Sequence, residues 1–135
     1  MRKSSLFLLA TCLFIASCKS PAPDPTVLLD SNPQIVVRNE VKFSYRESDC
    51  QLGFNRSKAE FRMMTDNMSS HAIIVLNDIP TEKGQRVVAE RISWTTYNDI
   101  ESRNNVALEV LKIEGGNIWL WSAREEIAAV VSILE

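Results

Sequence analysis

The sequence predicts an all-β protein, built as an antiparallel β-sandwich or small barrel of seven to eight strands. From residue 31 onward, short apolar segments alternate with polar residues at a period of two. Gly, Pro, Asn, Asp and Ser separate these segments at regular distances, which is typical of sandwiches and barrels. Very few segments have apolar residues at helical spacing, so the prediction contains almost no helix.

The first strands contain one segment that the pattern leaves ambiguous. Gln34 to Tyr45 is predicted as a single half-buried strand in which Asn39 marks a bulge, and Gln51 to Asn55 as a short strand. Ser57 to Met68 fits either a helix opened by a Ser57-x-x-Glu60 capping box or a strand. We favour the strand because its neighbours in the sequence are strands.

The second half of the domain repeats the alternating pattern. Tyr97 to Asn105 is polar and is predicted as a loop, whereas Gly115-Gly116 between two apolar segments predicts a tight hairpin. The predicted strands are His71 to Leu76, Arg86 to Thr96, Val106 to Ile113, Ile118 to Trp121 and Ile127 to Leu134.

The amino terminus has the composition of a secretory signal peptide. Arg2 and Lys3 precede an apolar segment, Leu6 to Ile15, and small residues follow. A helix needs about 20 apolar residues to cross a bilayer, so this segment is too short to span one.

The four residues Ile15-Ala16-Ser17-Cys18 resemble the lipobox of bacterial lipoproteins. The resemblance implies that residues 1–17 are removed, that the Cys18 thiol carries a diacylglycerol, and that a fatty acid such as palmitate acylates the new amino group. Lys19 stands where an Asp retains enteric lipoproteins in the inner membrane. By that analogy, the outer membrane is the expected location, with the chain held at the periplasmic envelope by its lipid.

Residues 18–30 are predicted to be an extended tether and residues 31–135 a single β-domain. Three prolines alternate within Lys19 to Pro25, and proline fixes φ and lacks an amide hydrogen, which favours extended chain. Removal of Arg2 and Lys3 leaves thirteen basic against seventeen acidic residues, a balance near −4. The basic residues are scattered, which argues against nucleic acid as a partner.

The residues for catalysis are sparse, and we predict neither an enzyme nor a cofactor. His71 is the single histidine, which excludes a two-histidine metal site, and no Gly-x-Ser-x-Gly turn accompanies it. Cys50 is the one cysteine left after Cys12 and Cys18, so the mature domain cannot form an intrachain disulfide. A Cys50–His71 nucleophile pair is disfavoured because the negative charge of Asp49 opposes a thiolate.

Four acidic residues are candidates for a loop-based calcium site. Asp78, Glu82, Asp99 and Glu101 lie in the two segments that flank Arg86 to Thr96, and these segments could meet at one end of a sandwich. No Asp-x-Asp-x-Asp loop is present, so solvated carboxylates are the simpler interpretation and we predict no metal.

Trp119 and Trp121 are the candidate contacts for a ligand or partner. They are two residues apart on a predicted strand and therefore share one face, with Ile118 and Leu120 on the other. A tryptophan pair can stack on sugars or contact a protein. The interpretation we favour, however, is that both fill the core together with Trp94, because buried aromatic side chains dominate the energetics of a domain.

These observations predict a lipid-anchored, non-catalytic module of the cell envelope that binds a protein or glycan or has a structural role. The alternative is an inhibitor of an envelope-directed enzyme such as a lysozyme or protease, which would present a protruding loop, Asp78 to Arg86. The paired cysteines of the lysozyme-inhibitor type are missing. A hydrolase ranks third, because it would need a site that the sequence does not display.

Overall fold

The computed structural model describes residues 29–45, 50–65, 70–97 and 99–133, and these residues form a single antiparallel sheet of nine strands. Helical structure in these ranges is limited to one 3-10 turn, Arg56–Lys58. The strands are β1 (Gln34–Val37), β2 (Glu40–Ser44), β3 (Cys50–Asn55), β4 (Glu60–Thr65), β5 (His71–Leu76), β6 (Arg86–Thr96), β7 (Asp99–Glu114), β8 (Asn117–Ser122) and β9 (Ile127–Ser132).

The sheet curls into a half-barrel. Its spatial order is β2-β1-β9-β8-β7-β6-β5-β4-β3, so β3 to β9 follow one another and β1 pairs beside β9. Four strands lie between β2 and β6 in this order, yet β2 contacts β6, so the sheet bends back on itself. Across the same gap, Lys42 Nζ of β2 lies 3.9 Å from Asp99 Oδ2 at the start of β7. The predicted antiparallel all-β class is confirmed. The strand count of seven to eight is wrong.

The additional strand comes from a hairpin that the sequence pattern hides. Gln34 to Tyr45 forms β1 and β2 rather than one strand, because Arg38 and Asn39 turn the chain with φ of 51° and 65°. Positive φ at both central residues is the conformation of a type I′ hairpin turn. Apolar residues occur on both sides of this two-residue turn, so the alternation continues through it and resembles one longer strand.

The segment Tyr97 to Asn105 is not the predicted loop, because β7 already begins at Asp99. The pairing of β7 with β6 runs from Asp99 to Glu109, whereas the recorded pairing of β7 with β8 begins only at Glu109. The start of β7 therefore alternates between half-buried and exposed side chains and lacks an apolar face. Such a strand has the composition of a loop.

The ambiguous segment is a strand, as we favoured, over its described part. β4 covers Glu60–Thr65, and residues 66–68 lie outside the described ranges. The capping-box interpretation is wrong: Asn55 Oδ1 accepts from Ser57 N, and Glu60 begins β4. The predicted strands His71 to Leu76 and Arg86 to Thr96 and the Gly115-Gly116 hairpin are confirmed.

The main core lies on the concave side of the sheet and centres on Trp94, whose side chain is 0 % exposed. The largest fully buried side chains are Trp94, Phe61, Ile35, Met63, Ile74, Ile92, Ile118 and Leu120. Phe54 of the edge strand β3 packs on Phe61 with ring centroids 4.8 Å apart. One closed apolar cluster therefore holds the curled sheet together, and no disulfide contributes within the part of the chain that the structure describes.

The β7–β8 turn gives a test of the fold. Gly115 has a φ of 62°, which L-residues with a Cβ rarely adopt, so we expect Gly115→Ala to lower the free energy of unfolding by about 1 kcal/mol. Gly53→Ala is the matched control, because a Cβ there meets only ordinary contact, 3.8 Å from Arg62 Cβ. Urea denaturation of both variants measures the difference. Equal losses at the two sites would contradict the turn geometry.

Candidate binding surfaces

The residue proposed to carry the lipid, Cys18, lies outside the described residues. The described chain begins at Leu29, which is buried against the outer, convex side of β8 and β9. The chain therefore enters the domain on this side of the sheet.

The two candidate tryptophans share one face of β8, on the outer side of the sheet. Ile118 and Leu120 point to the main core instead. Trp119 and Trp121 therefore do not join Trp94, contrary to the core interpretation, but form a second cluster. We call it the tryptophan face; it comprises Leu29, Val36, Leu111, Lys112, Trp119, Trp121, Ala128 and Val130.

Trp119 is only 3 % exposed, whereas Trp121 is half-buried. The ammonium of Lys112 lies 4.5 Å from the centroid of the Trp119 ring, and it also pairs with Glu114 at 2.9 Å. The indole Nε1 of Trp119 is buried and has no hydrogen-bond partner among the described residues. Leaving a buried donor unpaired costs about 1–3 kcal/mol. The tryptophan face thus contains an N–H group without an acceptor.

The turn between β6 and β7 carries the most exposed apolar side chains of the described chain. Tyr97 is 91 % exposed and Ile100 is 79 % exposed. Both project from the end of the β6–β7 hairpin, where recorded pairing with β8 has already stopped. We call Tyr97 and Ile100 the hairpin tip. Sequence reasoning missed it because the surrounding residues are polar, although a tyrosine and an isoleucine within a polar turn were a usable signal.

A charged cleft of about 390 Å³ lies beside the hairpin tip, between β2 and β7. Its walls carry ion pairs: Lys42 Nζ lies 2.5 Å from Glu40 Oε1, and Arg103 Nη1 lies 2.8 Å from Glu101 Oε1. The hydrogen bond to Glu40, with the charges of Asp99 and Glu101, raises the pKa of Lys42 above its ordinary 10.5. The cleft lining carries three basic and three acidic side chains, so its charges balance: Arg38, Lys42 and Arg103 against Glu40, Glu101 and Glu125.

Trp94 joins the cleft to the core. Its indole N–H donates to Asp99 Oδ2 at 3.3 Å, and the guanidinium of Arg103 lies 5.4 Å from the ring centroid. These contacts fix the start of β7 on a fully buried side chain. The hairpin tip is thereby held on a rigid base.

The calcium interpretation is wrong in its geometry. Asp78 and Glu82 lie before β6, and Asp99 and Glu101 after it, so the two pairs stand at opposite ends of a strand about 33 Å long. The described residues contain no group of three or more His, Cys, Asp or Glu arranged to hold a metal ion.

Cys50 and His71 do not come together either. β4 lies between their strands, Cys50 is buried opposite Thr65, and His71 is half-buried opposite Thr95. Neighbouring strands are about 4.8 Å apart, so roughly twice this distance separates the two backbones. The geometry provides no nucleophile–base pair at these residues.

The β5–β6 loop is tied down rather than free. Gln85 Oε1 accepts from Thr81 N at 2.7 Å and from Glu82 N at 3.3 Å, while Gly84 N donates to Val110 O at 2.7 Å. Pro80 is buried, and Glu82 and Lys83 are exposed. The loop therefore presents two charged side chains from a fixed backbone.

Comparisons with protein-family models, with curated proteins and with solved structures found no match. The search for a helix long and apolar enough to cross a membrane found none among the described residues.

Proposed function

We propose that this chain is a lipid-anchored protein of the bacterial envelope whose β-domain is a non-catalytic binding module for a partner protein. The anchor rests on the Ile15-Ala16-Ser17-Cys18 motif, with the outer membrane as the favoured location. The binding role rests on the exposure of Tyr97 and Ile100 at the hairpin tip. Tyrosine is enriched among the side chains that carry most of the binding energy at protein interfaces, and adjacent exposed apolar side chains mark interaction sites.

The charged cleft supports a polar rim beside the apolar contact. Lys42 pairs with Glu40 and Arg103 pairs with Glu101, so the charges of the cleft largely neutralise one another. Charged and polar side chains around an apolar centre are typical of the rim of a protein-binding surface. The proposed partner therefore combines an apolar contact for Tyr97 and Ile100 with polar groups that complement this rim.

Site-specific photocrosslinking tests the binding role. A photoreactive phenylalanine analogue at position 97 of the full-length protein is expected to give one discrete adduct in envelope membranes. The control is the analogue at position 88, since Val88 is an exposed apolar residue within β6 and away from the tip. The same adduct at both positions, or none at position 97, would contradict the proposal.

Adding Ile100→Ser to the position-97 crosslinker variant tests the apolar contact itself. We expect the adduct yield to fall about tenfold or more, because truncating a hot-spot side chain costs about 2 kcal/mol or more, which is a loss of about thirtyfold in affinity. Val88→Ser is the matched control and should leave the yield unchanged. An adduct that survives Ile100→Ser at full yield would show that the tip does not carry the interaction.

The inhibitor hypothesis rests on a different element, the β5–β6 loop. Its fixed backbone and exposed Glu82 and Lys83 are suited to insertion into a partner's cleft, because a rigid loop loses little entropy on binding. This hypothesis requires an adduct from position 83 to an envelope hydrolase, and none from position 97. The two candidate functions are therefore separated by the same experiment.

A further inference from the structure

We propose that two copies of this chain pair through the edge strand β3 and form a symmetric dimer, with Gly53 of each copy on the twofold axis. The inference goes beyond the proposed function, because β3 belongs neither to the hairpin tip nor to the charged cleft. Three observations carry it: an unprotected sheet edge, a glycine that the single domain does not require, and a strand sequence that is complementary to itself.

The edge strand β3 is open on one side. Within the described ranges, β3 pairs with β4 on one side and with no strand on the other. Its six residues include neither a charge nor a proline, and its pairing with β4 runs from Cys50 to Asn55 without a bulge. Natural sheets usually protect an exposed edge with a charge, a proline or a bulge, because its backbone N–H and C=O groups can pair with another chain. β3 therefore has the properties of an edge that accepts another strand.

The opposite edge strand, β2, has the protection that β3 lacks. Glu40 and Lys42 are charged and pair with each other at 2.5 Å. The pairing of β2 with β1 contains a register shift, and β2 bends back onto β6. A strand added to β2 would meet these charges and this bend. β3 is therefore the edge at which the sheet can be extended.

Gly53 lies in the middle of β3, where glycine usually weakens a strand. Its φ is not positive, and an added Cβ would lie 3.8 Å from Arg62 Cβ, which is an ordinary contact. The single domain therefore does not require glycine at this position, although glycine loses more conformational entropy on folding than any other residue. Glycine inside a strand often marks the close approach of another backbone. A second chain beside β3 explains this residue.

The sequence of β3 is complementary to itself in one antiparallel register. With Gly53 on the twofold axis, Leu52 of one copy lies opposite Phe54 of the other. On the other face of the sheet, Gln51 lies opposite Asn55. Side chains directly opposite each other in an antiparallel pair contact each other, so this register joins apolar to apolar and amide to amide without opposing like charges.

A second copy also covers apolar surface at the end of the core. Leu52 and Phe54 pack against the main core but are only half-buried, because no strand lies beyond them within the described residues. Pairing about a twofold axis brings these two side chains of each copy together, and their open sides are then removed from water. A surface that is complementary to itself is the property of a twofold dimer, the commonest form of oligomer. These features favour a second copy over an unrelated strand.

Co-purification of tagged and untagged full-length copies, extracted in a mild detergent, tests the dimer. We expect untagged wild type to co-purify with tagged wild type, and light scattering after size exclusion to give twice the protein mass of one chain. Gly53→Lys in both copies places like charges opposite each other, so co-purification should be lost. Gly53→Lys with Gly53→Glu places opposite charges there and should restore it. Val41→Lys, at a 57 % exposed position of the other edge strand, is the matched control and should leave co-purification unchanged.

A second variant avoids any effect of Gly53→Lys on folding, which far-UV circular dichroism detects. Gln51 and Asn55 are both exposed, and an aspartate at position 55 keeps the oxygen that accepts from Ser57 N. Gln51→Glu combined with Asn55→Asp opposes carboxylates across the same register, so this folded variant should also lose co-purification.

The outcomes separate the dimer from the membrane anchor, because every variant keeps Cys18 and would share micelles equally. Wild-type copies that do not co-purify, or a protein mass of one chain, overturn the dimer. Folded Gly53→Lys copies that still co-purify show that β3 is not the interface. A Lys–Glu mixture that does not pair overturns the placement of Gly53 on the axis. None of these results depends on a partner at the hairpin tip.

Discussion

Replacing Cys18 with serine is expected to move the protein from the detergent phase to the aqueous phase in a phase-separation assay. Each buried methylene contributes about 0.8 kcal/mol, so two long acyl chains together contribute on the order of 20 kcal/mol of membrane attachment. The serine variant should therefore lose nearly all of its membrane association while its domain stays folded.

The design of this variant must exclude an uncleaved leader. Because the Cys18→Ser change also removes the processing site that the lipobox resemblance implies, the variant is expressed behind a signal peptide that a general signal peptidase removes. The full-length protein with its own leader and Cys18 is the reference that should enter the detergent phase, and the Cys18 domain behind the general leader is the control for the exchange of leaders. A serine variant that remains in the detergent phase would contradict lipid anchoring.

Trp94→Ala is expected to be the most destabilising single substitution in the described core. The side chain is 0 % exposed, and truncating a buried tryptophan costs about 3–5 kcal/mol. Small domains unfold with only about 5–15 kcal/mol, so a large share of the stability would be lost. The substitution also removes the hydrogen bond to Asp99 and the ring under Arg103.

Urea denaturation followed by far-UV circular dichroism measures this loss without relying on tryptophan emission. Tyr97→Ala is the matched control, because a side chain that is 91 % exposed should change the stability by less than about 0.5 kcal/mol. Trp94→Phe should fall between the two. A Trp94→Ala variant as stable as Tyr97→Ala would show that the core does not centre on this residue.

The sequence predicted the strands whose pattern is dictated by burial on one side. His71 to Leu76 and Arg86 to Thr96 pair on both sides and alternate their buried side chains, and in Arg86 to Thr96 the alternation changes phase once, at Glu90 and Arg91. The Gly115-Gly116 turn was equally readable, because both glycines adopt positive φ. The sequence of each of these elements is therefore enough to predict it.

The errors arose where tertiary structure overrides the local pattern. Arg38 adopts a positive φ, which is unfavourable for a residue with a side chain. The pairing of β1 with β2 holds the chain in this turn, and the guanidinium of Arg38 lies 3.5 Å from the Glu126 carboxylate. The first half of β7 is a strand because β6 pairs with it, not because of its own composition. Neither effect leaves a signal in a window of a few residues.

The candidate surfaces were only partly predictable. Alternation correctly placed Trp119 and Trp121 on one face, but it could not say which side of the sheet that face occupies. That depends on the curl of the sheet and on Leu29, which is ninety residues away in the sequence from Trp119. The hairpin tip and the charged cleft likewise depend on how far β6 and β7 extend beyond β8, a property of the register.

The central claim is that fatty chains on one sulfur hold this domain at a membrane. Mass spectrometry of the amino-terminal peptide from the detergent-extracted, full-length product tests it most directly. The account predicts that the chain starts at Cys18, with the mass of a diacylglycerol on the thiol and of one fatty acid on the amino group. An unmodified Cys18, or a peptide that still carries residues 1–17, would contradict it.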